Sequence, residues 1–321
     1  MVAATNARNL IFTNGEILKT DNALFTYLAL TTAVICWGLS FVATKIALLS
    51  FTPFCLIFFR FFTAALFFVF LLRKTGFPEM TRKNIKSLIL LAIMQPGLYF
   101  TFETIGLQYT SATKTSLIIA TIPVVVLLLS SIFLKERIRI TNTIGIILSL
   151  AGVTLLVFGG HGQTNLHGML IGDVMILGAV FSASIYMIMT RRLGQSISPV
   201  QITGIQIIFG AVLFFPTFLW DLPKLHWNEI RMDSIIAVIA LTLFATIGAF
   251  LCYNYALTKI PAARAAVCIN GIPLVTVFGA WILLGETLSI LQFAGGGIVL
   301  ISVFLANHTP TSPVAQGSQK S

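Results

Sequence analysis

Charged residues are scarce in this sequence. They make up only 9% of its 321 residues, whereas 57% are hydrophobic. A soluble fold of this length needs a polar surface, and so few polar side chains could not cover so much apolar area. The composition therefore excludes the ordinary water-soluble class. Because the apolar residues form blocks of about 17 to 25, long enough for a helix to cross a hydrocarbon core of about 30 Å, it favours an integral membrane protein.

Catalytic and nucleotide-binding motifs are also missing. The sequence contains no H-E-x-x-H, no G-x-S-x-G and no phosphate-binding loop, and its four histidines lie outside the apolar blocks. These absences argue against an enzyme or an ATP-driven pump, and we predict no cofactor. The four cysteines lie inside apolar blocks without metal-ligand spacing, so we predict neither a metal site nor a disulfide.

Ten apolar blocks follow one another along the chain. Each is continuously apolar, whereas the strands of a membrane barrel alternate in polarity, so the blocks predict helices. The predicted fold class is an all-α polytopic membrane protein with ten transmembrane helices. The approximate bounds are 27–49, 53–72, 85–107, 113–134, 143–158, 169–189, 200–220, 235–257, 263–284 and 290–306.

An internal repeat relates the two halves of the chain. The stretch IPVVVLLLSSIFLKE at 122–136 recurs as IPLVTVFGAWILLGE at 272–286. Five spans per repeat would insert the second repeat in the opposite sense, and inverted repeats of this kind are typical of secondary transporters. The predicted division is a cytoplasmic N-terminal segment at 1–26, a first five-helix repeat at 27–158, a connecting loop at 159–168, a second five-helix repeat at 169–306 and a disordered cytoplasmic tail at 307–321.

The basic residues indicate the orientation of this predicted topology. Most of the 20 lysine and arginine residues fall on the side of the membrane that holds both termini, and the positive-inside rule makes that side cytoplasmic. The net charge of +10 thus orients the chain in a lipid bilayer and requires no nucleic-acid partner. Monomer and homodimer both stay open.

Three stretches carry a family resemblance: CWGLSFVATKIAL at 36–48, GLQYTSATKTSLIIATIPVVVLLLSSIFLKERI at 106–138 and ALTKIPAARAAVCINGIPLVTVFGAWILLGETL at 256–288. They resemble EamA-type members of the drug/metabolite transporter (DMT) superfamily, and the resemblance covers nearly all of residues 27–306. It implies a ten-helix, two-repeat carrier of small metabolites, often an exporter of amino acids in bacterial inner membranes. The shared motifs are helix-packing patterns, so they do not identify a substrate.

Polar side chains inside the apolar blocks are the candidate substrate contacts. Gln95, Tyr99 and Glu103 recur every four residues and would share one helix face. Aromatic and hydroxyl groups from both repeats would suit a small ligand with an apolar body and a few polar groups, although ordinary interhelical hydrogen bonding is the alternative. The predicted substrate-binding set is Trp37, Ser40, Gln95, Tyr99, Glu103, Tyr186, Tyr253 and Asn270.

Glu103 and Arg60 allow more than one interpretation. An ionisable group inside a span is a functional candidate by default. Glu103 could bind a substrate amine or couple transport to protons, and it could also line a cavity with no special role. Because Arg60 lies at a similar predicted depth, the two residues could instead form a structural ion pair.

Other residues predict local structure. Pro123 and Pro273 occupy equivalent repeat positions and predict helix breaks near the bilayer centre, which either line a site or only help the helices to pack. Glu286, at a span end, is expected to bind a helix end rather than act as a gate, as is its repeat counterpart Glu136. Ser289 and Gln292 predict a capping box.

Together these features predict a secondary transporter that exports amino acids or other small metabolites by alternating access, with proton coupling left open. A non-transporting membrane protein, such as a lipid-handling enzyme or a receptor, is the alternative.

Overall fold

The computed structural model describes residues 3–78, 81–134, 140–159, 166–193, 197–259 and 271–307. Within these ranges the chain is helical and contains no strand, so the all-α prediction is confirmed. The α-helices are α1 Ala3–Ala47, α2 Pro53–Thr75, α3 Arg82–Ala92, α4 Tyr99–Tyr109, α5 Ala112–Ile119, α6 Ile122–Leu134, α7 Ile140–Phe158, α8 Leu166–Leu193, α9 Pro199–Asp221, α10 Met232–Ala240, α11 Ala249–Lys259, α12 Ile272–Leu284 and α13 Ile290–Asn307.

Seven helical segments of this described part are long and apolar enough to cross a membrane. They are Leu24–Ala47, Pro53–Thr75, Asn84–Tyr109, Ala112–Leu129, Met169–Thr190, Pro199–Lys224 and Met232–Ala256. Three shorter apolar helices accompany them, at Thr143–Leu156, Ile272–Leu284 and Ile290–Ser302. The polytopic membrane class is therefore confirmed. The shorter helices fall on the three remaining predicted spans, so the number ten stays a prediction.

Proline marks the start of several helices. Pro53 lies in the first turn of α2 and Pro199 in the first turn of α9, where the missing N–H of proline costs no helical hydrogen bond. Ser198 completes the second of these starts, because its hydroxyl accepts a hydrogen bond from the backbone of Gln201 while the Gln201 side chain accepts one from the backbone of Ser198. These residues explain why both helices begin where they do.

Pro123 and Pro273 are placed in the same way. Helix α5 ends at Ile119 and α6 begins at Ile122, so Pro123 lies in the first turn of α6. Pro273 lies in the first turn of α12, after Gly271. The fourth predicted span is thus two short helices joined at residues 120–121. Thr121 closes this junction, since its hydroxyl donates to the carbonyl of Ile118 over 2.6 Å.

Two π-helical segments interrupt long spans. Ile93–Leu98 separates α3 from α4, and Leu241–Gly248 separates α10 from α11. Pro96 lies in the first segment, where it cannot donate a backbone hydrogen bond. Such interruptions leave carbonyls for partners outside the helix. Two side chains use them: the Ser182 hydroxyl donates to the carbonyl of Met94, and the Trp37 indole donates to that of Ala245.

Helix pairs follow one pattern in both halves. Helix α4 packs against α8 as α11 packs against α1, and α6 packs against α8 as α12 packs against α1. Helix α2 packs against α9, and α7 packs against α13. If the two predicted repeats are exchanged, each of the first four pairs is converted into its counterpart in the other half. The pairs α2 with α9 and α7 with α13 are converted into themselves.

Glycine allows two of these helix pairs to approach closely. A Cβ atom placed on Gly152 of α7 would lie 2.9 Å from the carbonyl oxygen of Gly295 on α13. One placed on Gly172 of α8 would lie 2.9 Å from the carbonyl oxygen of Gly106 on α4. Because lipid tails are as apolar as leucine, close backbone contact of this kind is a main source of helix association in membranes.

Candidate functional site

A cavity of about 90 Å³ lies between helices of the two predicted repeats. It has room for several water molecules, since one needs roughly 10 to 15 Å³ on the same measure. Among the described residues, no cluster of histidine, cysteine, aspartate or glutamate could hold a metal ion. The lining residues are Trp37, Ser40, Phe41, Arg60, Gln95, Tyr99, Phe100, Glu103, Ile119, Ile122, Ala183, Tyr186, Met187, Phe250, Tyr253 and Ile272.

Most of the predicted substrate contacts meet at this cavity. The lining includes Trp37, Ser40, Gln95, Tyr99, Glu103, Tyr186 and Tyr253. Asn270, the remaining member of the predicted set, lies outside the described residues. The structure therefore brings together side chains that are up to about two hundred positions apart in the sequence. That they bind a substrate stays a prediction.

Aromatic rings form the apolar part of the wall. The ring centroid of Trp37 lies 5.3 Å from that of Phe250 and 5.0 Å from that of Tyr253. Also in the lining, the rings of Tyr99 and Phe100 are 4.9 Å apart, at an interplanar angle of 83°. Rings in such close edge-to-face or tilted contacts hold one another in place. The cavity thus has a firm apolar wall contributed by both halves.

Arg60 brings a guanidinium group into this wall. Its side chain is only 4% exposed, and its Cζ atom lies 4.6 Å from the ring centroid of Phe100. The Nε–H group donates to the hydroxyl oxygen of Thr246 over 2.5 Å. Thr246 in turn donates to the carbonyl of Leu241, five residues earlier in the second π-helical segment. A ring and a hydroxyl therefore fix the orientation of Arg60.

Glu103 lines the same cavity without touching Arg60. Its side chain is 2% exposed and accepts a hydrogen bond from the hydroxyl of Thr104 over 3.3 Å. No nitrogen of Arg60 lies within 4.0 Å of its carboxylate oxygens, so the ion pair considered from the sequence is not a direct contact here. Inserting a charged side chain into a membrane span costs about 3 kcal/mol of free energy. Two such side chains that do not contact each other are therefore candidates for a functional role.

Gln95 reaches the cavity by a route that helical spacing does not predict. The four-residue spacing of Gln95, Tyr99 and Glu103 assumed a continuous helix. Gln95 instead has extended backbone angles, with φ −145° and ψ 117°, at the π-helical segment that contains Pro96. All three side chains still line the cavity. The dipeptide Pro96-Gly97, in the middle of an apolar block, is the sequence signal that would have indicated this interruption.

Comparison with known proteins identifies the family. The sequence pattern of the EamA-like transporter family matches residues 24–158 and, a second time, residues 170–308. The chain belongs to the EamA-like transporter family.

Relatives of this EamA-like chain are transporters by name. An uncharacterized transporter of Archaeoglobus fulgidus is 28% identical over 281 residues, which are 87% of this chain and 97% of that protein. The uncharacterized transporter YetK of Bacillus subtilis is 26% identical over 294 residues, 91% of this chain and 88% of that protein. A crystal structure with 15% sequence identity has a TM-score of 0.63 and covers 88% of this chain and 98% of that one, which supports the fold alone.

A buried ion pair of this EamA-like chain was missed by sequence reasoning. The Nζ atom of Lys114, in the first turns of α5, lies 2.5 Å from a carboxylate oxygen of Asp173 on α8, and both side chains are 1% exposed. Thr110 donates to the other carboxylate oxygen over 2.8 Å. Sequence reasoning missed this pair because nothing in either segment indicates the other.

A second carboxylate binds the same end of α5. The two oxygens of Glu286 accept hydrogen bonds from the backbone N–H groups of Ala112 and Thr113, each over 2.9 Å. The expectation that Glu286 binds a helix end is confirmed, whereas Glu136 lies outside the described residues. The capping box of Ser289 and Gln292 is also confirmed, with both hydrogen bonds at 3.1 Å. These contacts position α5, whose last residue, Ile119, lines the cavity.

Proposed function

We propose that this EamA-like chain is a secondary transporter that exports amino acids or other small metabolites by alternating access. One observation carries the proposal: a cavity between the predicted halves combines aromatic walls with a guanidinium and a carboxyl group. A site for a small solute is expected to be concave and mostly apolar, with a few polar groups that fix orientation. This cavity has that composition.

The pattern of helix contacts supports alternating access. Exchange of the two predicted repeats leaves the set of main helix pairs unchanged, and the family pattern matches once in each half. Two equivalent halves of opposite orientation can rock about a central site and reach two states of similar free energy. The boundaries 27–158 and 169–306, together with ten spans, are part of this proposal.

The basic residues and the family support the cellular setting. The membrane-spanning helices require a lipid bilayer, and the charge distribution favours both termini in the cytoplasm. We place the protein in the bacterial inner membrane on the same grounds. Export then corresponds to movement of the solute from the side that carries the termini to the opposite side.

Glu103 supports proton coupling. It is a carboxyl group that lines the cavity, where it could exchange a proton with whichever side is open. Work from a proton gradient would replace work from ATP, for which the sequence has no binding motif.

Solute counterflow tests the proposed function. Purified protein in liposomes would be loaded with an unlabelled solute from a panel of amino acids, related metabolites and polyamines, and uptake of the labelled solute would be measured. Protein-free liposomes are the control. We expect transient, saturable accumulation of at least one solute. Uptake that never saturates would indicate a channel, and a panel without counterflow would contradict the proposal.

A further inference from the structure

Arg60 uses only part of its hydrogen-bonding capacity on the protein. Its Nε–H donates to Thr246, and the face of its guanidinium lies on Phe100. A guanidinium has five N–H donors, and the terminal N–H groups of Arg60 have no acceptor among the described residues. Because the side chain lines the cavity, these donors are available to whatever occupies it. Their planar arrangement matches a carboxylate, which can accept two parallel hydrogen bonds.

Glu103 places the opposite requirement on the same occupant. Its carboxyl group lines the cavity and has one hydrogen-bond partner, Thr104, among the described residues. A purely anionic solute would be attracted by Arg60 and repelled by Glu103, and a purely cationic solute would meet the reverse. A solute that carries both a carboxylate and an ammonium group can satisfy both residues at once. The aromatic walls provide an apolar environment for the rest of the solute.

We propose that Arg60 is the carboxylate-binding residue that makes the cavity selective for zwitterionic solutes, and that Thr246 is the positioning residue that orients it. This inference rests on the proposed function and names the residues that would select a zwitterion among its candidate solutes. The expected substrate is an α-amino acid, or a similar zwitterion, with an apolar body.

Thr246 owes its position to the π-helical segment Leu241–Gly248. Its hydroxyl donates to the carbonyl of Leu241, so its oxygen lone pairs remain free to accept from Arg60. The same segment gives the carbonyl of Ala245 to Trp37, another lining residue. The widened turn therefore fixes one charged and one aromatic member of the cavity.

A purely structural role for Arg60 is the competing explanation. In that case its contacts with Thr246 and Phe100 would stabilise the helix bundle, and a change there would affect all solutes alike. Substitutions at Thr246 separate the explanations. Thr246→Val removes the hydroxyl with little change in shape, and Thr246→Ser restores it. Thr242→Val is the matched control, because the buried Thr242 lies one turn earlier and donates only to the carbonyl of Val238.

The experiment compares each amino acid with its amide. Counterflow of leucine, methionine and phenylalanine would be measured beside that of leucinamide, methioninamide and phenylalaninamide, which keep the amine and the side chain but lack the carboxylate. For the wild type we expect a KM for a transported amino acid that is at least about tenfold lower than that of its amide, as a charged hydrogen bond implies. Thr246→Val should raise the KM of the amino acid roughly tenfold, whereas its kcat and the KM of the amide should change little.

Several outcomes decide the inference. Recovery of the wild-type KM by Thr246→Ser, with no change in Thr242→Val, would support it. Equal KM values for acid and amide in the wild type, or equal effects of Thr246→Val on both, would overturn it. If Thr246→Val does not fold, Arg60→Lys provides the same comparison, because it keeps the charge and loses the planar donors. Exchange of other solutes without any preference for a carboxylate would contradict this inference alone, whereas no exchange of any solute would contradict the proposed function.

Discussion

Arg60 and Glu103 place groups of opposite charge in one small cavity without direct contact. Each is almost fully buried, at 4% and 2% exposure. If the pair served only stability, direct contact would be expected, because a buried charge without a close partner is expensive. Their separation is easier to explain if water or a solute completes the site. The presence of these two separated ionisable side chains is the main reason to consider the cavity a binding site.

Replacement of Glu103 tests its role in coupling. We expect Glu103→Gln to lose accumulation driven by an imposed pH gradient, because an amide cannot take up and release a proton. Counterflow should persist with a raised KM, because the amide attracts the ammonium group of the solute less strongly than a carboxylate does. The measurement is uptake into proteoliposomes with and without the gradient. Glu229→Gln, in the exposed segment Trp227–Glu229, should behave like the wild type.

Two results would contradict a coupling role. One is gradient-driven uptake by Glu103→Gln at the wild-type rate. The other is a variant that fails to fold and is restored by the exchanged pair Arg60→Glu with Glu103→Arg, which would indicate a structural ion pair.

The buried pair of Lys114 and Asp173 gives a stability prediction. Lys114→Met would leave the carboxylate of Asp173 buried, with Thr110 as its remaining hydrogen-bond partner among the described residues, and we expect a loss of about 3 to 5 kcal/mol in stability. Thermal unfolding in detergent would report the loss. The double variant Lys114→Met with Asp173→Leu should recover much of it, because no lone charge remains. A single variant as stable as the wild type would contradict the assignment.

At the scale of helices, glycine has different roles at neighbouring positions of α13. A Cβ atom on Gly295 would lie 2.9 Å from the carbonyl oxygen of Gly152 and 3.0 Å from the backbone nitrogen of Leu156, whereas one on Gly297 would meet nothing within 4 Å. Backbone atoms cannot rotate away as a side chain can. Gly295 therefore requires its lack of a side chain for the contact between α7 and α13, and Gly297 does not.

Alanine at the two positions tests this difference. Gly295→Ala should lower stability by about 1 to 3 kcal/mol, because the helices must separate. Gly297→Ala should be neutral or should raise stability by about 0.5 to 1 kcal/mol, because alanine favours the helix. Midpoints of thermal unfolding in one detergent would compare them. Equal effects would mean that α7 and α13 do not pack as described.

Helices were predictable to the extent that they follow composition. Continuous apolar blocks predicted where the long helices lie, and Ser289 with Gln292 predicted a cap that the structure contains. Interruptions within spans were harder. The π-helical segment at Leu241–Gly248 has no proline to mark it, and its Ala245 carbonyl and Thr246 hydroxyl bind Trp37 and Arg60 from other helices. Local sequence does not contain such information.

At the scale of the whole molecule, the sequence identified candidate site residues but could not predict their positions relative to one another. Polar side chains in apolar blocks identified Trp37, Tyr99 and Tyr253, because such groups are uncommon at that depth. Which of them face one another depends on helix contacts between the halves. The sequence therefore could not predict that Arg60 and Glu103 would line the same cavity without contacting each other. The contact of Lys114 with Asp173 was unpredictable for the same reason.

Access to the cavity from each side of the membrane is the most direct test of alternating access. Ala183→Cys would be made in a chain whose four cysteines are replaced by serine or alanine, and a small charged thiol reagent that does not cross membranes would be added to either face of oriented vesicles. Ala183 lines the cavity, whereas Ala179, one turn earlier on α8, is fully buried in the core and provides a control. Alternating access predicts modification of Ala183→Cys from either face, protection by a transported solute, and no modification of Ala179→Cys. Modification from one face only under all conditions, or from neither face, would contradict it.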